Sequence, residues 1–164
     1  MAFSGLPSDS TPVALTGVLF SLALDGVGEI GYFTKVSGIS VDITPVEYNA
    51  TRDGSSYLKT MRPGRTAYGD IEFSRGLSAD NTLEEWADKV ARGDIAGARS
   101  NGSIVVMSAD ASPIAEFNFF NGWPSRWSGP SLSSSADETA VESLTVVVEG
   151  VERVEALGVA DADG

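Results

Sequence analysis

Neither cysteine nor histidine occurs anywhere in the 164 residues. The first absence excludes disulfides, thiolate nucleophiles and Cys-based zinc or iron–sulfur sites. The second removes the commonest general base and the commonest metal ligand. Basic residues are scarce as well: 11 Lys and Arg stand against 23 Asp and Glu, a net charge of −12. Such a field repels phosphate backbones and anionic lipid, so direct nucleic-acid binding is not expected. No apolar run approaches the ~20 residues that cross a bilayer. The nearest, Val13 to Leu24, has no Lys or Arg before it, since the first is Lys35. It therefore lacks the positive flank of a secretory leader. The expectation is a chain assembled in the cytoplasm without a signal peptide and without stable membrane insertion.

What is present suffices for a core. Apolar residues make up 42% of the chain, and a domain of ~150 residues buries roughly 68–70% of the surface its unfolded chain exposes. Residues 1–14 are rich in Ser, Pro, Asp and Gly and read as an irregular arm. Residues 15–154 read as one β domain, and 155–164 as an acidic tail. Val18, Phe20, Leu22 and Leu24 share one face of a period-2 pattern, as do Ile39, Val41, Ile43 and Pro45. Gly26, Gly28 and Gly31 precede a short strand, Tyr32 to Val36. Asn49 to Arg65 is a polar excursion with turn signals at Asp53-Gly54 and Pro63-Gly64, and Tyr68 to Arg75 is a strand. A helix is predicted over about 81–92, where Leu83, Trp86, Ala87 and Val90 fall at i, i+3, i+4 and i+7. Thr82 with Glu85 offers a capping box, Gly93 a stop, and Glu85 with Lys89 a helpful ion pair. Ile104 to Met107 and Ile114 to Phe120 form a hairpin, followed by a short strand at Trp123 to Trp127, a Ser-rich loop at Ser131 to Thr139 and a long last strand at Ala140 to Val154. There Val141, Ser143, Thr145, Val147 and Glu149 oppose Leu144, Val146 and Val148. The fold class is mainly β, an antiparallel β-barrel with one flanking helix.

Local motifs yield little chemistry. Gly26-Val27-Gly28-Glu29-Ile30-Gly31 matches a dinucleotide-binding pattern, but a strand rather than a helix follows it, and Glu29 would put a carboxylate in the phosphate cradle. It reads as a hairpin turn. Asn49-Ala50-Thr51 and Asn101-Gly102-Ser103 fit the glycosylation pattern, and Asn101-Gly102 reads as a turn. Glu84 and Glu85, adjacent on a helix, point about 100° apart and cannot share a proton. No catalytic, metal or cofactor residue is expected. The stretch Phe117 to Trp127 holds five aromatics. Phe117 and Phe119 share a face and belong to the core, whereas Trp123 and Trp127 beside Arg126 suit a protein interface or a stacking site for a ligand.

A series of motifs resembles the tail-tube family of contractile-tailed phages and contractile injection systems. Its front half is Val36-Ser37-Gly38-Ile39-Ser40-Val41, Pro63-Gly64, Tyr68-Gly69-Asp70-Ile71 and Ser74-Arg75-Gly76-Leu77. Its back half is Asn101-Gly102-Ser103-Ile104-Val105, Asn118-Phe119-Phe120-Asn121-Gly122-Trp123-Pro124, Trp127-Ser128-Gly129-Pro130, Ala140-Val141-Glu142-Ser143-Leu144 and Glu149-Gly150-Val151-Glu152-Arg153. The order and the intervening helix match over about residues 15 to 153.

The resemblance implies the tail-tube fold, related to the type VI secretion tube protein. It also implies six-membered rings stacked into a hollow tube inside a contractile sheath, which drives the tube through a target envelope. Implied partners are further copies of the chain, a sheath protein, baseplate and cap proteins, and cargo in the lumen. Family members use an extended hairpin to contact neighbouring subunits, so Arg52, Lys59, Arg62 and Arg65 are expected at subunit or ring interfaces, with Trp123, Arg126 and Trp127 as further candidates. A phage-like injection particle, retained in the cytoplasm or released outside the cell, matches better than a virion tail. The alternative of another class is a monomeric β-barrel binding a glycan or small ligand through Trp123, Arg126 and Trp127.

Overall fold

The computed structural model describes residues 17–52, 54, 56–134 and 139–154 and, of residues 50–52 and 56–58, the backbone. The expected arm and acidic tail, and the middle of the Ser-rich loop, lie outside the described residues. In chain order the elements are β1 (Leu19–Leu24), β2 (Gly28–Phe33), β3 (Lys35–Ser37), β4 (Val41–Arg52), β5 (Ser56–Tyr68), β6 (Ile71–Gly76), α1 (Thr82–Ala91), α2 (Ile95–Ala98), β7 (Ser100–Met107), β8 (Pro113–Ser128), β9 (Val141–Val147) and β10 (Gly150–Val154). Every ladder is antiparallel.

β8 is the hub. Two expected strands are one here, because Trp123 to Trp127 continues the strand that begins at Pro113. One edge of β8 pairs with β7, which leads to β1 and β2. The other edge pairs with β10 and then β9, in one register from Val154↔Glu116 to Pro124↔Val146 and shifted by one residue at Ser125 from there to Ser128↔Ser143. Beyond β9 come β6 and β3. The expected last strand is thus two strands, broken at Val148–Glu149. The break lies opposite Asn121, which takes a left-handed φ of 51° and whose side-chain amide donates to Glu149 at 2.9 Å.

The barrel is not closed by hydrogen bonds: no ladder joins the two ends of the path, β2 and β3. These ends are successive stretches of one chain, with only Thr34 between them, and the Thr34 N–H donates to the Ser74 carbonyl at 3.0 Å. Covalent continuity therefore stands where a closing ladder was expected. The Arg75 side chain occupies the seam between β2 and β6. A Cβ on Gly31 would sit 2.7 Å from its guanidinium, and Phe33 presents its ring 5.5 Å away.

The core is built by alternation. Ile71, Phe73, Leu144 and Val146 from one sheet meet Leu22, Phe33, Ile104 and Phe119 from the other, with Leu83 and Trp86 of α1 against one end. The Trp86 indole N–H donates to the Ala98 carbonyl at 2.7 Å and ties α1 to α2, a short helix not foreseen. Asn101-Gly102 is strand, not turn. Gly102 faces inward, where a Cβ would meet the Phe119 ring at 2.4 Å, so the glycine makes room for that ring. The capping box also fails to form. Asn81 is the cap residue and makes no side-chain cap bond, while the Thr82 N–H and hydroxyl both donate to Asp80. Those bonds hold the Asp80 carboxyl below its ordinary range. The ion pair on α1 is Asp88 with Arg92, not Glu85 with Lys89. Gly93 does end the helix, at φ 87°.

Arg75 and Glu142 are directly opposed on β6 and β9, on the core face, 6% and 4% exposed. They form an ion pair, and Arg75 also donates to the Asp80 carbonyl at 3.2 Å. The constellation joins two strands to the residues that start α1. Removing one partner of such a pair strands a buried charge. Glu142→Ala is expected to lower unfolding free energy by about 3–5 kcal/mol in urea titrations. Arg75→Met with Glu142→Leu is expected to recover most of the loss, and a mild effect of the single change would show that water reaches Arg75.

Candidate assembly surfaces

β4 and β5 form a two-stranded sheet of their own, paired from Val41↔Tyr68 to Arg52↔Ser56. At roughly 3.3 Å per residue its twelve-residue strand is about 40 Å long. Gly54, with φ 68°, lies at its turn. The second turn signal is overturned. Pro63-Gly64 lies within β5, where the pairing jumps from Ile43↔Thr66 to Pro45↔Pro63 and two residues, Gly64 and Arg65, face one, Thr44. This is a β-bulge. Proline is tolerated there because each strand of a two-stranded ribbon is an edge.

The ribbon's root is a crossing of glycines. Gly38 has φ 87°, and a Cβ there would lie 2.0 Å from the Asp70 carbonyl oxygen; Gly69 passes as close on the other side. The Gly69 N–H donates to the Ser40 carbonyl at 3.1 Å. Only hydrogen side chains let the outgoing and returning chains approach this closely.

Both faces of the ribbon carry exposed apolar side chains. Val41, Ile43 and Met61 share one face; Val46 and Tyr48 lie on the other; all are 44–55% exposed. The alternation expected for Ile39, Val41 and Ile43 is present, but Val41 and Ile43 face solvent rather than the core. A ribbon alone is marginally stable in water. The four basic residues do not gather on one face. Lys59 pairs with Glu47 at 3.0 Å. Arg62 lies on the opposite face, its guanidinium 4.4 Å above the Tyr48 ring. Arg65 stands exposed in the bulge, and Arg52 is on β4 with its side chain outside the described residues.

The aromatic candidates also separate. Alternation along β8 turns Trp127, opposite Leu144, toward the core and α1; Trp123 and Arg126, opposite Val147 and Thr145, lie on the outer face. An open groove of about 510 Å³ runs between α1 and this end of β8, with Trp127 in its wall and Arg126 at its rim. Two half-buried indoles on opposite sides of a strand do not form a stacking cleft. Sequence reading missed the buried Arg75–Glu142 pair, although period-2 alternation already placed Glu142 on the face of Leu144. Among the described residues no cluster of three or more carboxylates is placed to hold a metal, and no helix is long and apolar enough to cross a membrane.

The model of the T4-like virus tail tube protein gp19 family matches residues 16–152. Among solved structures, the chain is similar to one in the sheath–tube complex of an extracellular contractile injection system, PVC, in its extended state. That likeness has 18% identity and a TM-score of 0.71 and covers 90% of this chain and 95% of that one. It is similar to a chain of the anti-feeding prophage baseplate, at 16% identity and TM-score 0.67, covering 88% and 97%. A chain of the anti-feeding prophage cap gives 23% and 0.64, covering 84% and 88%. At these identities the likeness is one of fold. No curated protein matches the chain.

The glycine crossing yields a test. Gly38→Ala is expected to lower stability by about 1–3 kcal/mol and to make the ribbon more sensitive to limited proteolysis than the body. Unchanged thermal unfolding and cleavage would mean that the root relaxes freely.

Proposed function

The chain belongs to the T4-like virus tail tube protein family, and from that membership we propose that it is the inner-tube subunit of a contractile injection particle, forming stacked hexameric rings. The observation that carries the reading is the ribbon of β4 and β5, apolar on both faces and without cover from the described residues. Exposed apolar area of this kind marks a surface that another chain covers. In a ring, the covering chain is a second copy. The charge distribution supports the same partner: residues 41–68 hold four basic residues against three acidic ones, in a chain of net −12. Arg52, Lys59, Arg62 and Arg65 meet carboxylates of adjacent subunits; Arg126 and Trp127 sit at a further contact along the α1 groove, and Trp123 at a contact on the outer face of β8. The work is mechanical. Sheath contraction drives the assembled tube through a target envelope, with sheath, baseplate and cap as partners and no bond made or broken by the subunit itself.

The fold likeness to chains of the PVC and anti-feeding prophage particles favours an injection particle over a virion tail. Negative-stain microscopy of the purified protein is expected to show six-fold rings or tubes with a central channel. A uniform monomer under all conditions, with no particles in the native source, would leave a ligand-binding barrel as the better account. Reversing both Arg62 and Arg65 to Glu is expected to abolish tubes while leaving the body folded; unaltered tubes would sink the role given to these residues. Repulsion among strongly acidic subunits is screened over ~10 Å at 0.1 M salt. Assembly is therefore expected to improve as salt is added, and a flat or falling yield across a salt titration counts against that electrostatic account.

A further inference from the structure

We infer that Met61 is a modification site: a peroxide oxidises its thioether to the sulfoxide in the free subunit, and the oxidised ribbon no longer accepts a second copy. This rests on the tube reading and adds to it a chemical control over the same surface.

With no cysteine in the chain, thioethers are the side chains that a peroxide oxidises first. There are three methionines. Met1 lies outside the described residues. Met107, at the end of β7, is half-buried between Leu19 of β1 and Pro113 of β8. Met61 lies near the middle of β5 and is 55% exposed. On one side the exposed pair Pro45↔Pro63 adjoins it on the same face, and Ile43 and Val41 follow toward the ribbon's root. On the other side stands the ion pair of Lys59 with Glu47, the residue directly opposite Met61. Among the described side chains, Met61 thus ends the apolar stretch of this face where the charges begin.

The reaction needs no group from the protein. A sulfur lone pair attacks one oxygen of hydrogen peroxide, the O–O bond breaks and an S–O bond forms. The sulfur loses two electrons; the other oxygen leaves as hydroxide and takes the proton of the transferred hydroxyl, giving water. The product differs from methionine in the property the ribbon uses. A thioether packs as an apolar group, whereas the sulfoxide presents an acceptor oxygen whose burial without a hydrogen bond is costly. Cover by a second copy removes the water from that oxygen, and the cost recurs at every subunit of a ring. The body is not involved, since Met61 stands beyond the glycine crossing, in the separate two-stranded sheet and outside the core cluster. A sulfoxide there alters association and leaves folding as it was.

Free subunits would be treated with hydrogen peroxide, mapped by peptide mass spectrometry and then set to assemble. Met61 is expected to gain its oxygen before Met107, with thermal unfolding of the body unchanged. The subunit concentration needed for tubes is expected to rise about tenfold or more, as burial of one unpaired polar group requires. Met61→Gln is expected to raise it similarly without oxidant, whereas Met61→Leu assembles and is indifferent to peroxide. Reduction by methionine sulfoxide reductases is expected to restore assembly, and Met61 in preformed tubes to oxidise more slowly than in free subunits. Undiminished assembly of chains oxidised at Met61, a peroxide effect that persists in Met61→Leu, or equal oxidation in tubes and free subunits each overturns the inference. Failure of the untreated protein to form tubes at all instead overturns the reading on which the inference rests.

Discussion

A two-stranded ribbon has no interior, so the apolar side chains of β4 and β5 find no cover among the described residues of their own chain. The rest of the molecule is arranged around that constraint. A projection about 40 Å long can find its cover on another molecule only if its direction is fixed where it leaves the body. The glycine crossing at Gly38, Gly69 and Asp70 fixes it, since the backbones approach closer there than any side chain permits. The short strand β3 pairs with β6 immediately before and after the crossing. The ribbon is therefore rooted in the sheet with the most completely buried side chains, not in a loop.

The body meets the demand for rigidity without a closed ladder. β8 belongs to both sheets, the chain crosses between them again from β9 to β10, and the segment through Thr34 joins them on the far side, so covalent chain ties the sheets together at both edges. The remaining seam holds Arg75, whose charge is met by Glu142 on β9 and by Asp80 at the start of α1. A hydrophobic filling of the same space would give comparable or greater stability. What the ion pair adds is direction: a guanidinium with fixed partners on a strand and on a helix start sets how α1 sits against the sheet.

Period-2 alternation made most of the body legible in the sequence. It placed Leu22, Phe119, Leu144 and Val146 on single strand faces that prove inward, and the same alternation carried one step further puts Glu142 beside Leu144. It could not supply the partner of Glu142, because Arg75 lies 67 residues away and only the register of β6 on β9 brings them together. Nor does alternation say what covers a face. Val41 and Ile43 alternate as core strands do and are exposed. Two glycines misled for one reason: Gly64 and Gly102 look like turn residues, yet each sits in a strand where a neighbour leaves no room for a Cβ, Val46 and Thr44 in one case and Phe119 and Ala23 in the other. The basic residues of the ribbon were visible in composition, but their division between two faces depends on the pairing and the bulge at Gly64 and Arg65, which only the partner strand defines.

The absences with which the sequence begins then acquire a physical sense. With no histidine and no cysteine, no side chain has an ordinary pKa between those of the carboxylates and those of tyrosine and lysine. The side-chain charge is therefore nearly constant from about pH 6 to 9, and no thiol responds to redox conditions. A subunit of this kind carries no charge or thiol trigger for those signals. In the proposed tube its strong negative charge opposes assembly to a degree set by ionic strength, while apolar cover of the ribbon favours it in a way that salt does not screen. The balance of these two terms, one screened and one not, is what lets an acidic chain stack on itself, and it leaves the timing of any movement to the proteins around the tube.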